Sequence, residues 1–132
     1  MTDESHWPIV VHETIGIPDD ACVDAFIRRA DFILSRREPY VVIFDSRRAG
    51  RATAYMRKRN LEWLRVNESL LAEHCVGLAM VLSSATLRFV MSTVMLVWRQ
   101  PVPYEIVSDL NAAIVWGEER LVAGDTRRAA GD

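Results

Sequence analysis

Two short, continuous apolar runs constrain the fold more than any other feature of the sequence. The first, Tyr40–Asp45, reads YVVIFD and ends in a carboxylate; the second, Val76–Leu82, reads VGLAMVL. Runs of this length without polar alternation are typical of strands that are covered on both faces of a parallel sheet. We therefore expect a buried strand at each run, with Tyr40–Asp45 at the centre of the sheet.

Further strands and helices alternate with these runs. Pro8–Ile15 is rich in Val and Ile and predicts a first strand, and Tyr104–Val107 predicts a fourth. Apolar residues at three- and four-residue steps, each series preceded by a capping residue, predict four helices that begin near Asp19 or Asp20, at Thr53, at Ser83 or Ser84, and at Ser108 or Asp109. The order βαβαβαβα predicts an α/β fold with a four-stranded, mostly parallel sheet and four helices.

Length and apolar content indicate one domain. The chain has 132 residues, of which 50% are hydrophobic, and this suffices for one core. We expect a single domain over residues 1–132, with the polar segments 1–7 and 124–132 flexible. The sequence opens on polar residues, and polar residues and a glycine interrupt its longest apolar region, residues 76–98. We therefore expect a cytoplasmic protein without a membrane span.

The sequence contains none of the familiar motifs of enzymes, metal sites or nucleotide-binding sites. Its three histidines have no ligand spacing, and no Gly-rich phosphate loop or nucleophile elbow occurs. The cysteines, Cys22 and Cys75, are far apart and are expected as small core residues. These absences favour a protein without a metal, a cofactor or an enzymatic activity.

Charge is distributed unevenly along the chain. Eleven of the sixteen basic residues lie between positions 28 and 65, yet the net charge is −2, which does not favour nucleic-acid binding. Asp45, at the end of a buried strand, could serve as a general base. An ion pair with Arg47 or Arg48 is the favoured interpretation, because a carboxylate in that place commonly accepts hydrogen bonds from the loop that follows.

The predicted third helix, which runs to about Gln100, is apolar almost all round. A helix of this kind in so small a domain needs a second surface to cover it, such as another subunit, a ligand or a lid. The candidate residues of an interaction surface are Leu87, Phe89, Met91, Met95 and Trp98.

Several packing features follow one another in a specific order. They are a buried strand that ends in Asp45, the long helix Thr53–His74, the strand Gly77–Leu82, Leu87-Arg88 near the start of the next helix, and a closing strand followed by Ala113 to Trp116. Over residues 9–121 this order resembles the STAS and SpoIIAA-like group, which has the anti-sigma-factor-antagonist fold. The resemblance implies the strand order 2-1-3-4, a switch point between strands one and three, and a regulatory role without catalysis.

Two features differ from the pattern of that group. Many STAS domains begin with a hairpin, whereas one strand is evident before the first helix here. The bacterial antagonists carry a phosphorylated Ser in an Asp-Ser-Ser-Gly-like turn at the start of the second helix, where this chain has Ala52-Thr53-Ala54. Thr53 is the nearby hydroxyl that could take its place, and Ser46 lies too early in the chain.

The implied switch point would bring three helix N-termini to one edge of the sheet. Helix N-termini carry unpaired N–H groups and a partial positive charge, and arginines beside them could complete an anion or phosphate site. An alternative is that the hydroxyl side chains at these helix starts only cap the helices and that the arginines are only solvated. The candidate anion-binding residues are Arg47, Arg48, Arg51, Thr53, Ser83 and Ser84.

The leading hypothesis is a non-enzymatic, STAS-like signalling regulator that binds a protein partner, either itself as a homodimer or a signalling protein. The alternative is a small-ligand or lipid-binding domain related in fold to the CRAL-TRIO group, with an anion site at the loop Ser46–Thr53 and the third helix as a cavity wall. A third hypothesis is an anion-dependent enzyme that uses Asp45 and the arginine loop.

Overall fold

The computed structural model describes residues 1–97 and 101–131, with side chains described as far as Gly124. The elements follow in the order β1 (Thr2–His6), β2 (Ile9–Gly16), α1 (Asp20–Ser35), β3 (Tyr40–Ala49), α2 (Ala54–Val66), α3 (Glu68–His74), β4 (Cys75–Val81), α4 (Ala85–Val97), β5 (Tyr104–Val107) and α5 (Leu110–Gly131). Within the described ranges this gives a five-stranded sheet, so the predicted α/β class is confirmed, with one strand more than expected.

The sheet has the order β1-β2-β3-β4-β5, with β1 antiparallel to β2 and every other neighbouring pair parallel. The predicted central strand is confirmed, since β3 pairs with β2 on one side and with β4 on the other. Val41 of β3 lies between Ile9 and Gly77, and both Val41 and Ile43 are completely buried. Their side chains account for the absence of polar alternation in this run.

Helices cover both faces of the sheet. On one face, side chains of α1, α2 and α3 pack on β2, β3 and β4 around Val10, Tyr40 and Leu78. On the other face, α5 packs over Val41, Ile43 and neighbouring strand residues. A Cβ atom at Gly77 would lie 3.0 Å from the Trp116 ring, so a glycine permits the close approach of α5 to β4.

The predicted strand order 2-1-3-4 is wrong. In the same numbering, the four parallel strands lie in the order 1-2-3-4, because each crossover moves to the next position in the same direction. The expected switch point between strands one and three therefore does not exist. Local apolar patterns define the strands, but the direction of each crossover is set by packing between distant elements.

The segment Met1–Trp7, expected as a flexible lead-in, contains strand β1, which forms a hairpin with β2. Main-chain pairing with β2 holds this polar strand, and Glu4 makes ion pairs with Arg29 of α1 and with Arg36, which follows α1. A polar edge strand carries no apolar signal, and for this reason the sequence did not indicate it. The hairpin removes one of the two differences from the STAS pattern.

Two predicted helices also have different bounds. The helix expected over Thr53–His74 is interrupted at Asn67, whose backbone leaves helical geometry between α2 and α3. The α2 segment has no buried residue, so its apolar side chains are at most partly covered. The last helix, α5, continues to Gly131, beyond its expected end near Leu121. Cys75 is buried as expected, whereas Cys22 is exposed.

His12 is enclosed between the sheet and α1. Its ring packs edge-on to Phe26 at 4.4 Å between centroids, and its Nδ1 lies 2.8 Å from the hydroxyl of Thr2. Burial, with a smaller contribution from the N-terminal ammonium group, lowers the pKa of His12 to about 4, from the ordinary value of 6.5. The imidazole is therefore neutral in the folded protein at neutral pH.

We expect His12 to make the fold sensitive to acid. Between pH 6.5 and about 4 the unfolded chain binds a proton that the folded chain does not, so stability is full above pH 6.5 and falls as the pH is lowered. Because the ring is only partly buried, the loss should be about 1–2 kcal/mol. Urea unfolding at pH 7 and pH 4.5 measures this loss of stability. In His12→Phe the part of the loss that is due to His12 should be absent.

His6 provides the control, since it is exposed in the neighbouring strand β1. His6→Gln should keep the pH dependence of the wild type. An identical loss of stability in wild type and His12→Phe would contradict the assignment to His12.

Candidate functional site

The strand β3 is longer than the sequence predicts. Its end, Ser46–Ala49, was expected as loop but continues to pair with β2. Glu13 lies opposite Asp45, and Ile15 lies opposite Arg48, so two residues of β3 face one residue of β2. This β-bulge lets β3 continue past Asp45, whereas β4 ends at Val81 beside it.

Asp45 is the partner of Arg47. The guanidinium donates from Nε to Oδ1 at 2.9 Å and from Nη2 to Oδ2 at 2.7 Å, which is a bidentate pair. These hydrogen bonds hold the pKa of Asp45 below its ordinary value, although the residue is only 4% exposed. The preferred sequence interpretation, an ion pair with a following arginine, is confirmed. The guanidinium of Arg47 is consequently occupied by a carboxylate.

A shallow pocket of about 370 Å³ lies at the start of α2. It is lined by Ile17, Arg51, Ala52, Thr53, Ala54 and Arg57. The hydroxyl of Thr53 accepts a hydrogen bond from the N–H of Met56 at 3.1 Å and so caps the helix. Arg57 donates to the carbonyl of Ala52 at 2.7 Å. The sequence indicated Arg51 and Thr53 but missed Arg57, which lies one helical turn after Thr53.

Of the six candidate anion-binding residues, Arg51 and Thr53 line this pocket and the other four do not. Ser83 and Ser84 precede α4 and do not line the pocket of Arg51 and Thr53. The hydroxyl of Ser84 accepts from the N–H of Leu87 at 3.2 Å. Arg48 is exposed on β3. An anion site that unites all six residues stays a prediction.

The surface of α4 is the other candidate site. Six of its apolar side chains are 43–84% exposed, namely Leu87, Phe89, Val90, Val94, Leu96 and Val97. α4 packs against the edge strand β5. At 100° per residue the six side chains cover about half of the helix circumference. The second covering surface that the sequence calls for is not supplied by the rest of the described chain.

The predicted interaction residues have different environments. Leu87 and Phe89 are exposed and Met91 is partly buried. Met95 is only 7% exposed and faces the interior, so its assignment to the surface is wrong. Trp98 lies outside the described residues. Val90, Val94, Leu96 and Val97 were missed as surface residues, although their spacing along α4 was visible in the sequence.

Little charge accompanies this apolar surface. Arg88 is the charged residue of the segment 85–97, and its guanidinium donates to the carbonyls of Leu82 and Ser83 at 2.8 and 2.9 Å. The apolar half of α4 is therefore free of ionic groups of its own. No helix in the described parts of the chain has both the length and the apolarity needed to cross a membrane.

Asp45→Asn should lower the free energy of unfolding by about 1–2 kcal/mol, because the charged hydrogen bonds are weakened while Arg47 can still reach water. Chemical denaturation at pH 7 measures this change. Arg48→Gln is the matched control: Arg48 lies in the same strand and acts on Asp45 only through a weaker Coulomb interaction, so its loss should change stability by less than about 0.5 kcal/mol. Equal effects of the two substitutions would refute a stabilising role for the Asp45–Arg47 pair.

Comparison with known proteins supports the fold. No protein-family model matches the sequence, and no curated protein matches it significantly. Among solved structures, the chain is similar to an uncharacterised protein of the DUF3478 family with a SpoIIAA-like fold from Shewanella loihica PV-4. The TM-score is 0.71 at 10% identity, over 89% of this chain and 90% of the other. The chain therefore has the SpoIIAA-like α/β fold that its sequence resembles.

Proposed function

We propose that this chain is a cytoplasmic, non-enzymatic regulatory module that binds a protein partner, either a second copy of itself or a signalling protein, through α4. The observation that carries the proposal is the exposed apolar half of α4. Six large exposed apolar side chains on one side of a helix, with the exposed Thr86 and Thr93 among them, are uncommon on monomeric proteins and mark sites of interaction.

The shape of the surface favours a protein as the occupant. Small molecules bind in concave pockets that enclose most of their surface, whereas the exposed side of a helix is convex. Residues of α4 line neither the pocket at the start of α2 nor a second, open pocket along α5. A protein partner can supply a complementary groove or helix, and an apolar centre with an aromatic anchor such as Phe89 is typical of protein interfaces.

The regulatory part of the proposal is supported by the resemblance to the STAS and SpoIIAA-like group, whose fold this chain shares. A fold alone does not determine function, so α4 rather than the fold identifies the interaction surface. Asp45 is engaged by Arg47, and this supports a structural role for the carboxylate.

Binding of a small ligand or lipid at the loop Ser46–Thr53 stays a prediction. The pocket at the start of α2 contains Arg51 and Arg57, but Arg57 and Thr53 already make hydrogen bonds within the chain. The exposed apolar side chains of α4 are more unusual for a protein surface than the pocket at the start of α2 is. The proposed function therefore rests on α4.

Substitution of Phe89 tests the protein-binding role. Phe89 is 74% exposed on the apolar half of α4, so Phe89→Lys places a charge on the proposed interface without disturbing the core. A partner isolated with the tagged protein is purified, and its affinity for wild type and variant is measured by calorimetry. We expect at least a tenfold loss of affinity, since a buried aromatic anchor contributes about 1–2 kcal/mol or more.

Phe32→Lys is the matched control. Phe32 is 51% exposed on α1, away from α4, and the same substitution there should leave the affinity within about twofold. The proposal is wrong if Phe89→Lys binds the purified partner as tightly as Phe32→Lys does, or if no purified protein, including the chain itself, binds saturably.

A further inference from the structure

The strand β1 lacks the apolar contacts that hold the centre of the sheet. None of its five residues is buried, and none belongs to either hydrophobic cluster of the core. By contrast, Val41 and Ile43 of β3 are completely buried. Burial of apolar surface is the main stabilising contribution in a folded domain, and β1 adds little of it. Polar contacts must therefore keep β1 in place.

The main-chain pairing of β1 with β2 is interrupted. Asp3 lies opposite Val11 and His6 lies opposite Ile9, and the register shifts between these two pairs. Inside this interval the N–H of Ser5 donates to the carboxylate of Asp3 at 2.9 Å, so it is engaged within β1. The ladder between the two strands is consequently short and irregular.

Ion pairs of Glu4 supply much of the remaining attachment. The carboxylate of Glu4 pairs with Arg29 of α1 and lies 4.0 Å from the guanidinium of Arg36, which follows α1. The Glu4 side chain is 15% exposed, but the two arginine side chains are 45% and 37% exposed, so water reaches both pairs. Ion pairs of this kind are weak, and dissolved salt screens them.

A firm anchor follows β1 at Trp7. The indole is stacked on the ring of Tyr40 with 5.9 Å between centroids, and it packs against the core cluster that contains Val10. The guanidinium of Arg36 lies 4.1 Å from the centre of the indole. A strand that is weakly held along its length but anchored at one end can leave the sheet while the core stays intact. Openings of this kind require less free energy than global unfolding.

We propose that β1 is a strap that opens from the edge of β2 and closes onto it while the rest of the sheet stays folded, with the ion pairs of Glu4 holding it closed. The open state uncovers the main-chain groups of β2 that face β1. Because unpaired main-chain groups at a sheet edge are a template for pairing with another strand, the closed strap protects this edge. The strap lies at the opposite edge of the sheet from α4, so the inference is independent of the proposed function.

Individual amides distinguish the opening of β1 from the opening of the sheet. The N–H of Glu13 donates to the carbonyl of Met1 at 2.9 Å, and the N–H of Val11, two residues earlier in β2, points to the same side. On the other side of β2, the N–H of Val41 donates to the carbonyl of Pro8 at 2.9 Å. Hydrogen exchange at Val11 and Glu13 therefore requires β1 to open, whereas exchange at Val41 requires β3 to separate from its neighbour.

Amide hydrogen exchange of the full chain, followed by NMR at about 0.05 and 0.5 M NaCl, tests the proposal. We expect the protection factors of Val11 and Glu13 to be at least about tenfold lower than that of Val41. Higher salt should lower protection at Val11 by about threefold and leave Val41 unchanged, because salt screens the ion pairs of Glu4. Glu4→Gln should lower protection at Val11 by about the same factor and remove its dependence on salt.

Glu118→Gln is the control, since Glu118 is an exposed carboxylate on α5, and it should change protection at Val11 by less than about 1.5-fold. Arg29→Gln is a second variant of the ion pairs and should act in the same direction as Glu4→Gln. The inference is overturned if Val11 is as well protected as Val41 in the wild type. It is also overturned if Glu4→Gln lowers both protection factors equally, because Glu4 would then stabilise the whole fold and not the strap.

Discussion

The parallel pairing of β3 with both β2 and β4 is the constraint on which the rest of the structure depends. Because Val41 and Ile43 are buried completely, both faces of the sheet must be covered there. Three helices cover one face and α5 covers the other. α4 packs at the edge of the sheet, beside β5, and six of its apolar side chains are exposed.

The parts of the fold that depend on local pattern were predictable from the sequence. The continuous apolar runs defined β3 and β4, and the stripe that includes Val23, Ile27 and Leu34 defined α1, where these residues are buried. The strand β1 was not predictable, because its polar residues are held by main-chain pairing and by ion pairs of Glu4. The strand order was not predictable either, since it depends on crossover packing between elements far apart in sequence.

In the candidate sites, too, features that depend on local sequence were predictable, whereas features that depend on packing between distant elements were not. The pairing of Asp45 with Arg47 involves residues two apart and could be inferred from the sequence. The continuation of β3 past Asp45 across a bulge, beyond the end of β4 at Val81, is a feature that no local motif encodes. On α4 the apolar composition was evident, but its orientation is set by tertiary packing, which turns Met95 inward and Val94 outward.

The uncovered half of α4 also links association to the stability of the fold. Full burial of a single Val, Leu or Phe side chain contributes about 1.5–3 kcal/mol, while an entire domain is stable by only about 5–15 kcal/mol. Covering even part of six such side chains would thus add substantially to the stability of the folded state. A partner that binds the folded chain but not the unfolded chain stabilises it by mass action. A partner that covers α4 as proposed would therefore raise the free energy of unfolding of the module.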